Sequence, residues 1–172
     1  MNTLRIAHPA FSGSHREATL HFYRDILGMD VVLLQDNLDV PEEDHFFFHV
    51  GEDNFIAYFL PKPGVDTGLQ PAQSGSGWLD HFAIDVEPGS IEAWADRLAE
   101  AGVSIDGPID RGYERSIYFQ DPNGVTIELL CWLTPLPPGT SQAEVIKAAQ
   151  ESRIRRGAGH IEDQDIREAL GR

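Results

Sequence analysis

The chain repeats its own pattern at a nearly constant offset. His8 is followed 73 residues later by His81, Gly28 after 74 residues by Gly102, and Ala57 after 71 residues by Glu128. A shared offset across strand starts, helix ends and last strands marks an internal duplication, even where identity between the copies is slight. Each copy reads strand–helix–strand–strand–strand. At 172 residues and 41% apolar composition, the chain is long enough and apolar enough to bury a core of that size.

The first copy opens with a strand over 3–10. Ser14 and Glu17 then have capping-box spacing for a helix. That helix carries Leu20, Phe22, Tyr23, Ile26 and Leu27 on one face and stops at Gly28. Strands are predicted at 30–35, 45–50 and 54–60, with Gly51–Asn54 as a hairpin turn. Residues 61–77 are rich in proline and glycine and read as a linker. The second copy begins with a strand over 79–86. Its helix turns Ile91, Trp94, Ala95, Leu98 and Ala101 inward and ends at Gly102. Three strands follow, the last two joined by the turn sequence Asp121-Pro122-Asn123-Gly124. The modules thus span 1–60 and 78–133. Beyond them, 134–172 reads as a helical extension, with a second capping box at Ser141 and Glu144, a helix through about Arg155, a break at Gly157 and Gly159, and a short final helix.

Charge narrows the partners. Thirteen basic residues against 28 acidic ones give a net charge of −15. Such a surface repels phosphate backbones and anionic lipid, so neither nucleic acid nor membrane is expected as a partner. The single Cys131 precludes an intrachain disulfide, and no signal-like or membrane-spanning run is present, so a cytoplasmic location is expected.

The residues that can carry chemistry fall at repeat-related places. His8 and His81 are assigned to the first strands of the two copies, and Glu128 to the last strand of the second. A carboxylate in the middle of Val-Thr-Ile-Glu-Leu-Leu-Cys-Trp-Leu is costly to bury unless something compensates its charge. A divalent metal held by two imidazoles and one carboxylate would do so and would leave about three positions open. Tyr118 lies ten residues before Glu128 across a turn, where its hydroxyl can reach a substrate oxygen. His45 and His49 share a face with Phe47 by period-two alternation, while His15, His21 and His160 are expected in solvent. Nothing supports nucleophilic catalysis: Cys131 has no evident base, and neither Gly-x-Ser-x-Gly nor a phosphate loop occurs.

Over residues 3–133 the sequence resembles the vicinal oxygen chelate superfamily, which includes glyoxalase I, bleomycin- and fosfomycin-resistance proteins and type I extradiol dioxygenases. The resemblance rests on Phe-Tyr-Arg-Asp-Ile-Leu-Gly-Met-Asp-Val-Val, on His-Phe-Ala-Ile-Asp-Val, and on Tyr118-x-x-Asp121-Pro122-x-Gly124-x-x-x-Glu128, nearly the whole extradiol signature. It implies an α+β fold whose two modules form a cupped half-barrel of mixed sheet, and a homodimer. The implied ligands are His8, His81 and Glu128, with Fe(2+) first and Zn(2+), Ni(2+) or Mn(2+) as alternatives. The implied reaction is ring cleavage of a catechol-like aromatic. Tyr118 would contact substrate, Arg111 would steady negative charge, and His45, Phe47, Asn54, Ala57 and Phe59 would line the substrate pocket. The other readings are a lyase, isomerase or transferase using another divalent metal, and a resistance-type protein that binds a small molecule. Three positions depart from the pattern. Ala57 replaces the further glutamate ligand of glyoxalase I, Arg111 replaces the first histidine of the extradiol signature, and Asn54 stands where extradiol enzymes use an acid–base histidine. Asparagine cannot shuttle a proton.

Overall fold

The computed structural model describes residues 6–66 and 79–172. They form two compact units, Met1–Asp80 with the turn Gln120–Val125, and His81–Phe119 with Thr126–Arg172. Each unit is α+β and contains one four-stranded mixed sheet with the same topology.

In the first unit the elements run β1 (Ala10–Ser12), α1 (Arg16–Leu20), β2 (Val31–Asp36), β3 (Glu43–Gly51) and β4 (Asn54–Pro61). The helix runs on as a π-helical segment, His21–Ile26. The strand order is β1-β4-β3-β2, with β1 parallel to β4 and the other pairs antiparallel. Alternation divides the sheet into two faces. Phe46, Phe48, Ile56, Tyr58 and Leu60 are fully buried, and Phe22, Tyr23 and Leu27 of the helix are buried too. Tyr23 stacks on Phe48 with ring centroids 4.9 Å apart. His45, Phe47, Phe55 and Phe59 occupy the opposite face and are only half-buried.

A polar knot lies within this core. The Tyr58 hydroxyl donates to Asp121 Oδ2 at 2.5 Å, and the Tyr23 hydroxyl donates to the same oxygen at 3.1 Å. The other oxygen, Oδ1, accepts the backbone N–H groups of Asn123 and Val125 at 2.9 Å each. Burial, and then the nearby Asp121 charge, raise the Tyr58 phenol well above its ordinary range. The Asn123 side chain reaches further. Its Oδ1 accepts the backbone N–H of Ser14 at 3.1 Å, and its Nδ2 donates to Thr19 Oγ1 at 2.8 Å. Gly13 permits that approach, because a Cβ there would lie 2.8 Å from Asn123 Oδ1.

The second unit runs β5 (Phe82–Asp85), α2 (Ile91–Glu100), β6 (Ile105–Asp110), β7 (Glu114–Gln120) and β8 (Thr126–Trp132), in the order β5-β8-β7-β6. Ile91 and Leu98 of α2 are buried, as are Ile117, Phe119, Ile127 and Leu129 of the sheet. The two copies stop their helices alike, with Gly28 at φ 75° and Gly102 at φ 77°, a conformation that costs glycine nothing.

The register confirms the duplication. Ala10 pairs with Ala57 in the first sheet, and Ala83 pairs with Glu128 in the second. His8 and His81 each stand two residues before that paired alanine. Ala57 and Glu128 therefore hold the same place in their sheets.

The extension belongs to the second unit. It comprises α3 (Gln142–Arg156) and α4 (Asp163–Ala169). Ser141 caps α3 by accepting the Glu144 N–H, and Gly157 ends it at φ 68°. Val145, Ala149 and Ile166 bury against Trp132 of β8. Asp165 is buried and receives two hydrogen bonds from Arg156, at 2.8 and 2.6 Å.

Several local expectations change. The strand expected at 3–10 starts only at Ala10; residues 3–5 fall outside the described residues. Pro9 has no N–H for a ladder, although its carbonyl still accepts the Ala57 N–H at 3.0 Å. His8 thus precedes β1, and His81 immediately precedes β5, rather than lying within the strands. The Ser14–Glu17 capping box is absent: His15 is the N-cap residue and caps with no side chain. The Asn123 carboxamide takes the Ser14 N–H instead, a tertiary acceptor replacing a local one. The polar 43–44 stretch joins β3 because Arg16 Nη1 donates to Asp44 at 2.7 Å, pairing the buried carboxylate. Ala101 is exposed, since α2 ends at Glu100. Most of the predicted linker, 67–77, lies outside the described residues.

The knot predicts a measurable loss. Tyr58→Phe removes one donor to Asp121 while keeping the ring, and should cost roughly 1–3 kcal/mol in urea unfolding. A change below about 0.5 kcal/mol would mean that the phenol–carboxylate bond contributes little.

Candidate functional site

In the second unit the residue just before β5 and the middle strands β8 and β7 bring side chains together at Glu128. Its side chain lies on the face shared with Ala83, and only 5% of the residue is exposed. Two neighbours compensate the buried charge. His81 Nε2 stands 3.2 Å from Glu128 Oε2. The Tyr118 hydroxyl donates a short hydrogen bond to Glu128 Oε1. Tyr118 in turn accepts from Arg111 Nη2 at 3.3 Å, and the guanidinium lies 5.5 Å from its ring centroid. The rings of His81 and Tyr118 meet edge to face at 5.6 Å. Burial, reinforced by the Glu128 hydrogen bond, raises the Tyr118 phenol above its ordinary value, so at neutral pH it keeps its proton and acts as a donor.

The half-buried face of the first unit is aromatic. His45 stacks on Phe59 with centroids 4.5 Å apart and meets Phe47 edge-on at 4.9 Å. His8, exposed, lies 4.8 Å from the Phe47 ring. His45 Nε2 is buried without a hydrogen-bond partner among the described residues. Burial lowers its pKa, with a smaller push from His8, so the ring is biased toward the neutral form. His49 is different, because its Nε2 is 2.8 Å from the Glu52 carbonyl. Ala57 is fully buried on the same face, paired with Phe47. Asn54 lies at the tip of the β3–β4 hairpin, exposed, and donates to the Gly51 carbonyl at 3.2 Å.

The second unit therefore gathers His81, Tyr118, Glu128 and Arg111, and the first gathers His8, His45, Phe47 and Phe59. Among the described residues, no three histidine, cysteine, aspartate or glutamate side chains stand together as a ready-made metal cluster. The imidazole–carboxylate pair is nevertheless suited by donor chemistry to a divalent ion of the iron–zinc–manganese group. Two features escaped the sequence reading. Asp121 looks like a turn residue but is a buried acceptor for two tyrosines. Glu114 shares Tyr118's face by alternation, a signal that was available, yet nothing in sequence announces its neighbours from the extension.

A family model described as Glyoxalase/Bleomycin resistance protein/Dioxygenase superfamily matches residues 5–129. Over 132 residues the chain is 26% identical to the proposed ring-cleaving dioxygenase MhqE of Bacillus subtilis (strain 168), covering 76% of this chain and 42% of that protein. It is 27% identical over 128 residues to biphenyl-2,3-diol 1,2-dioxygenase 2 of Rhodococcus globerulus, covering 74% and 62%. It is 26% identical over 131 residues to metallothiol transferase FosB of Staphylococcus epidermidis, covering 75% and 82%. The chain thus spans less than two thirds of both dioxygenase relatives. The solved fosfomycin resistance protein FosX of Listeria monocytogenes, complexed with Mn(II) and sulfate, shares the fold at TM-score 0.57 and 16% identity, over 76% of this chain and 93% of that one. With the duplicated βαβββ sheets and a family match across most of its length, the chain belongs to the glyoxalase/bleomycin resistance/dioxygenase superfamily.

Proposed function

We propose that the chain is a metal-dependent enzyme of this superfamily, an extradiol-type dioxygenase acting on a catechol-like aromatic. The observation that carries the reading is the Glu128 constellation: a buried carboxylate in the middle of a strand, next to an imidazole and under a phenol that keeps its proton. We assign His81 and Glu128 as ligands from that pairing, and His8 as the third from its repeat relation to His81. Fe(2+) is the first choice of metal. Such an ion, when bound, supplies a Lewis acid with open positions and, for iron, a redox centre for O₂.

The chain's own residues take the other roles. Tyr118 donates to a substrate oxygen from the position where it now donates to Glu128. Arg111, bonded to the Tyr118 oxygen, favours negative charge developing there. The aromatic face with Phe47 and Phe59 offers an apolar wall. With Asn54 bonded to its own turn, the acid–base role falls to His45. Its Nε2 has no hydrogen-bond partner among the described residues and its ring is biased neutral, whereas His49 Nε2 is 2.8 Å from the Glu52 carbonyl. A second reading, metal-dependent group transfer, is favoured by the match across 82% of FosB.

Anaerobically purified chain should bind about one divalent metal. Metal should be lost in Glu128→Ala, His81→Ala and His8→Ala while circular dichroism stays native. Iron-loaded chain should consume O₂ with a catechol, and Tyr118→Phe should slow that uptake roughly 10–100-fold. Full metal occupancy in all three variants would overturn the ligand set. Metal binding with no O₂ uptake for any catechol would leave the transferase reading.

Ala57→Glu places a carboxylate at the register position of Glu128. It should raise Zn(2+) affinity at least tenfold and weaken O₂ uptake, because one open position is filled. Unchanged affinity would show that position 57 does not face the metal.

A further inference from the structure

The helical extension lies beyond residues 5–129, the stretch matched by the family model, and it grips the turn that carries Arg111. That turn joins β6 to β7. The Arg111 N–H closes it by donating to the Glu114 carbonyl at 2.9 Å. Gly112 follows, and its N–H donates to Asp110 Oδ1 at 2.7 Å. The Gly112 carbonyl accepts the N–H of Asp163, the first residue of α4, at 2.9 Å. The fit there is close. Gly112 has φ 97°, and a Cβ on it would lie 2.7 Å from the Ile161 carbonyl oxygen and 3.1 Å from His160 Cδ2. Tyr113, next in the chain, meets Trp132 edge to face with ring centroids 5.3 Å apart. Tyr113 and Ile161 both pack on the apolar cluster that Trp132 forms with α3 and α4.

The turn is therefore held from outside its own hairpin. That matters to the site because Arg111 is exposed and its Nη2 donates to the Tyr118 oxygen at 3.3 Å. Fixing a long side chain costs rotamer entropy, and the cost is better offset when the backbone beneath it is already in place. A continuous set of bonds runs from the Asp163 N–H through Gly112 to Arg111, from Arg111 to Tyr118, and from Tyr118 to Glu128.

We infer that the extension is a positioning device for the Glu128 site: the segment 160–163 holds the Arg111–Gly112 turn so that Arg111 stays bonded to the Tyr118 hydroxyl. Gly112 and the Asp163 N–H are positioning groups and act through Arg111. The effect on turnover rests on the dioxygenase reading; the link from α4 to Tyr118 does not.

A proline at 163 isolates the link. Proline is accepted at the first position of a helix, and Glu162 before it is already extended at φ −121° and ψ 165°. Asp163→Pro thus removes the N–H that reaches Gly112 and spares α4, whereas Asp163→Ala removes the same side chain and keeps the N–H. In chelator-treated full-length chain carrying 13C-labelled tyrosine, the Cζ resonance of Tyr118 reports the hydrogen bonds of its hydroxyl; its loss in Tyr118→Phe assigns it. Arg111→Ala should shift this resonance. Asp163→Pro and Gly112→Ala should shift it in the same direction, while Asp163→Ala leaves it in place and circular dichroism stays native. An unmoved resonance in Arg111→Ala, an unmoved resonance in both Asp163→Pro and Gly112→Ala, or equal shifts in Asp163→Pro and Asp163→Ala would overturn the inference. In iron-loaded chain with catechol, Asp163→Pro should lower kcat about fivefold relative to Asp163→Ala and leave KM within about twofold. Added to Arg111→Ala it should cost nothing more, because both changes break one link. Additive losses would refute the positioning role. The expected shifts without O₂ uptake would overturn the dioxygenase reading and keep the link. O₂ uptake with an unmoved Tyr118 resonance in Asp163→Pro and Gly112→Ala would overturn the link alone.

Discussion

A carboxylate buried in the middle of a β-strand is the constraint around which the second unit is arranged. Glu128 is nearly inaccessible, and an isolated charge there would cost several kcal/mol. The fold compensates it from two directions. Tyr118 donates to one oxygen and His81 stands 3.2 Å from the other. Arg111 then bonds to the Tyr118 oxygen, so a cation is coupled to the carboxylate through a phenol. The proposed ligand role of Glu128 rests on this arrangement of a buried carboxylate between an imidazole and a phenol.

The two copies of the duplicated pattern differ at their equivalent positions. In the first, the position equivalent to Glu128 is Ala57, and the surrounding face is filled by Phe47, Phe59 and the stacked His45. A methyl group stands where the second unit has a carboxylate, and rings fill the space around it. The first unit keeps a buried charge elsewhere. Asp121 sits at a turn between two strands of the second unit, yet it belongs to the first, where Tyr23 and Tyr58 bond to it. Asn123 from the same turn accepts the N–H of Ser14 at the start of α1 and donates to Thr19 in its first turn. The Asp-Pro-Asn-Gly sequence thus does more than reverse the chain.

The extension packs on the sheet of the second unit. Its helices cover Trp132 with Val145, Ala149 and Ile166 and hold themselves with the buried Asp165–Arg156 pair. In doing so they add one side to an open depression at the far end of that sheet face. The acids already present on β5 and β7 become its polar lining.

How much of this was legible beforehand follows from the range of each interaction. Alternation along Phe46, Phe47 and Phe48, the apolar helix faces, the paired glycines at 28 and 102, and the 71–74 residue offset are local or periodic signals. They were enough for the α+β duplication, the succession of strands and helix along each copy and the equivalence of Ala57 with Glu128. The Ser141 cap and the Gly157 stop were legible for the same reason, because capping is settled within four residues. The Ser14 cap was not, because the acceptor that prevailed is Asn123, over a hundred residues away. Period-two alternation could place Glu114 on Tyr118's face, but not say that α3 would line the same depression. The sequence by itself determined the kind and succession of the elements and which residues are candidate ligands, though not every element boundary. Only the tertiary structure decided which buried charges find partners, because that depends on atoms brought within about 3 Å from distant parts of the chain.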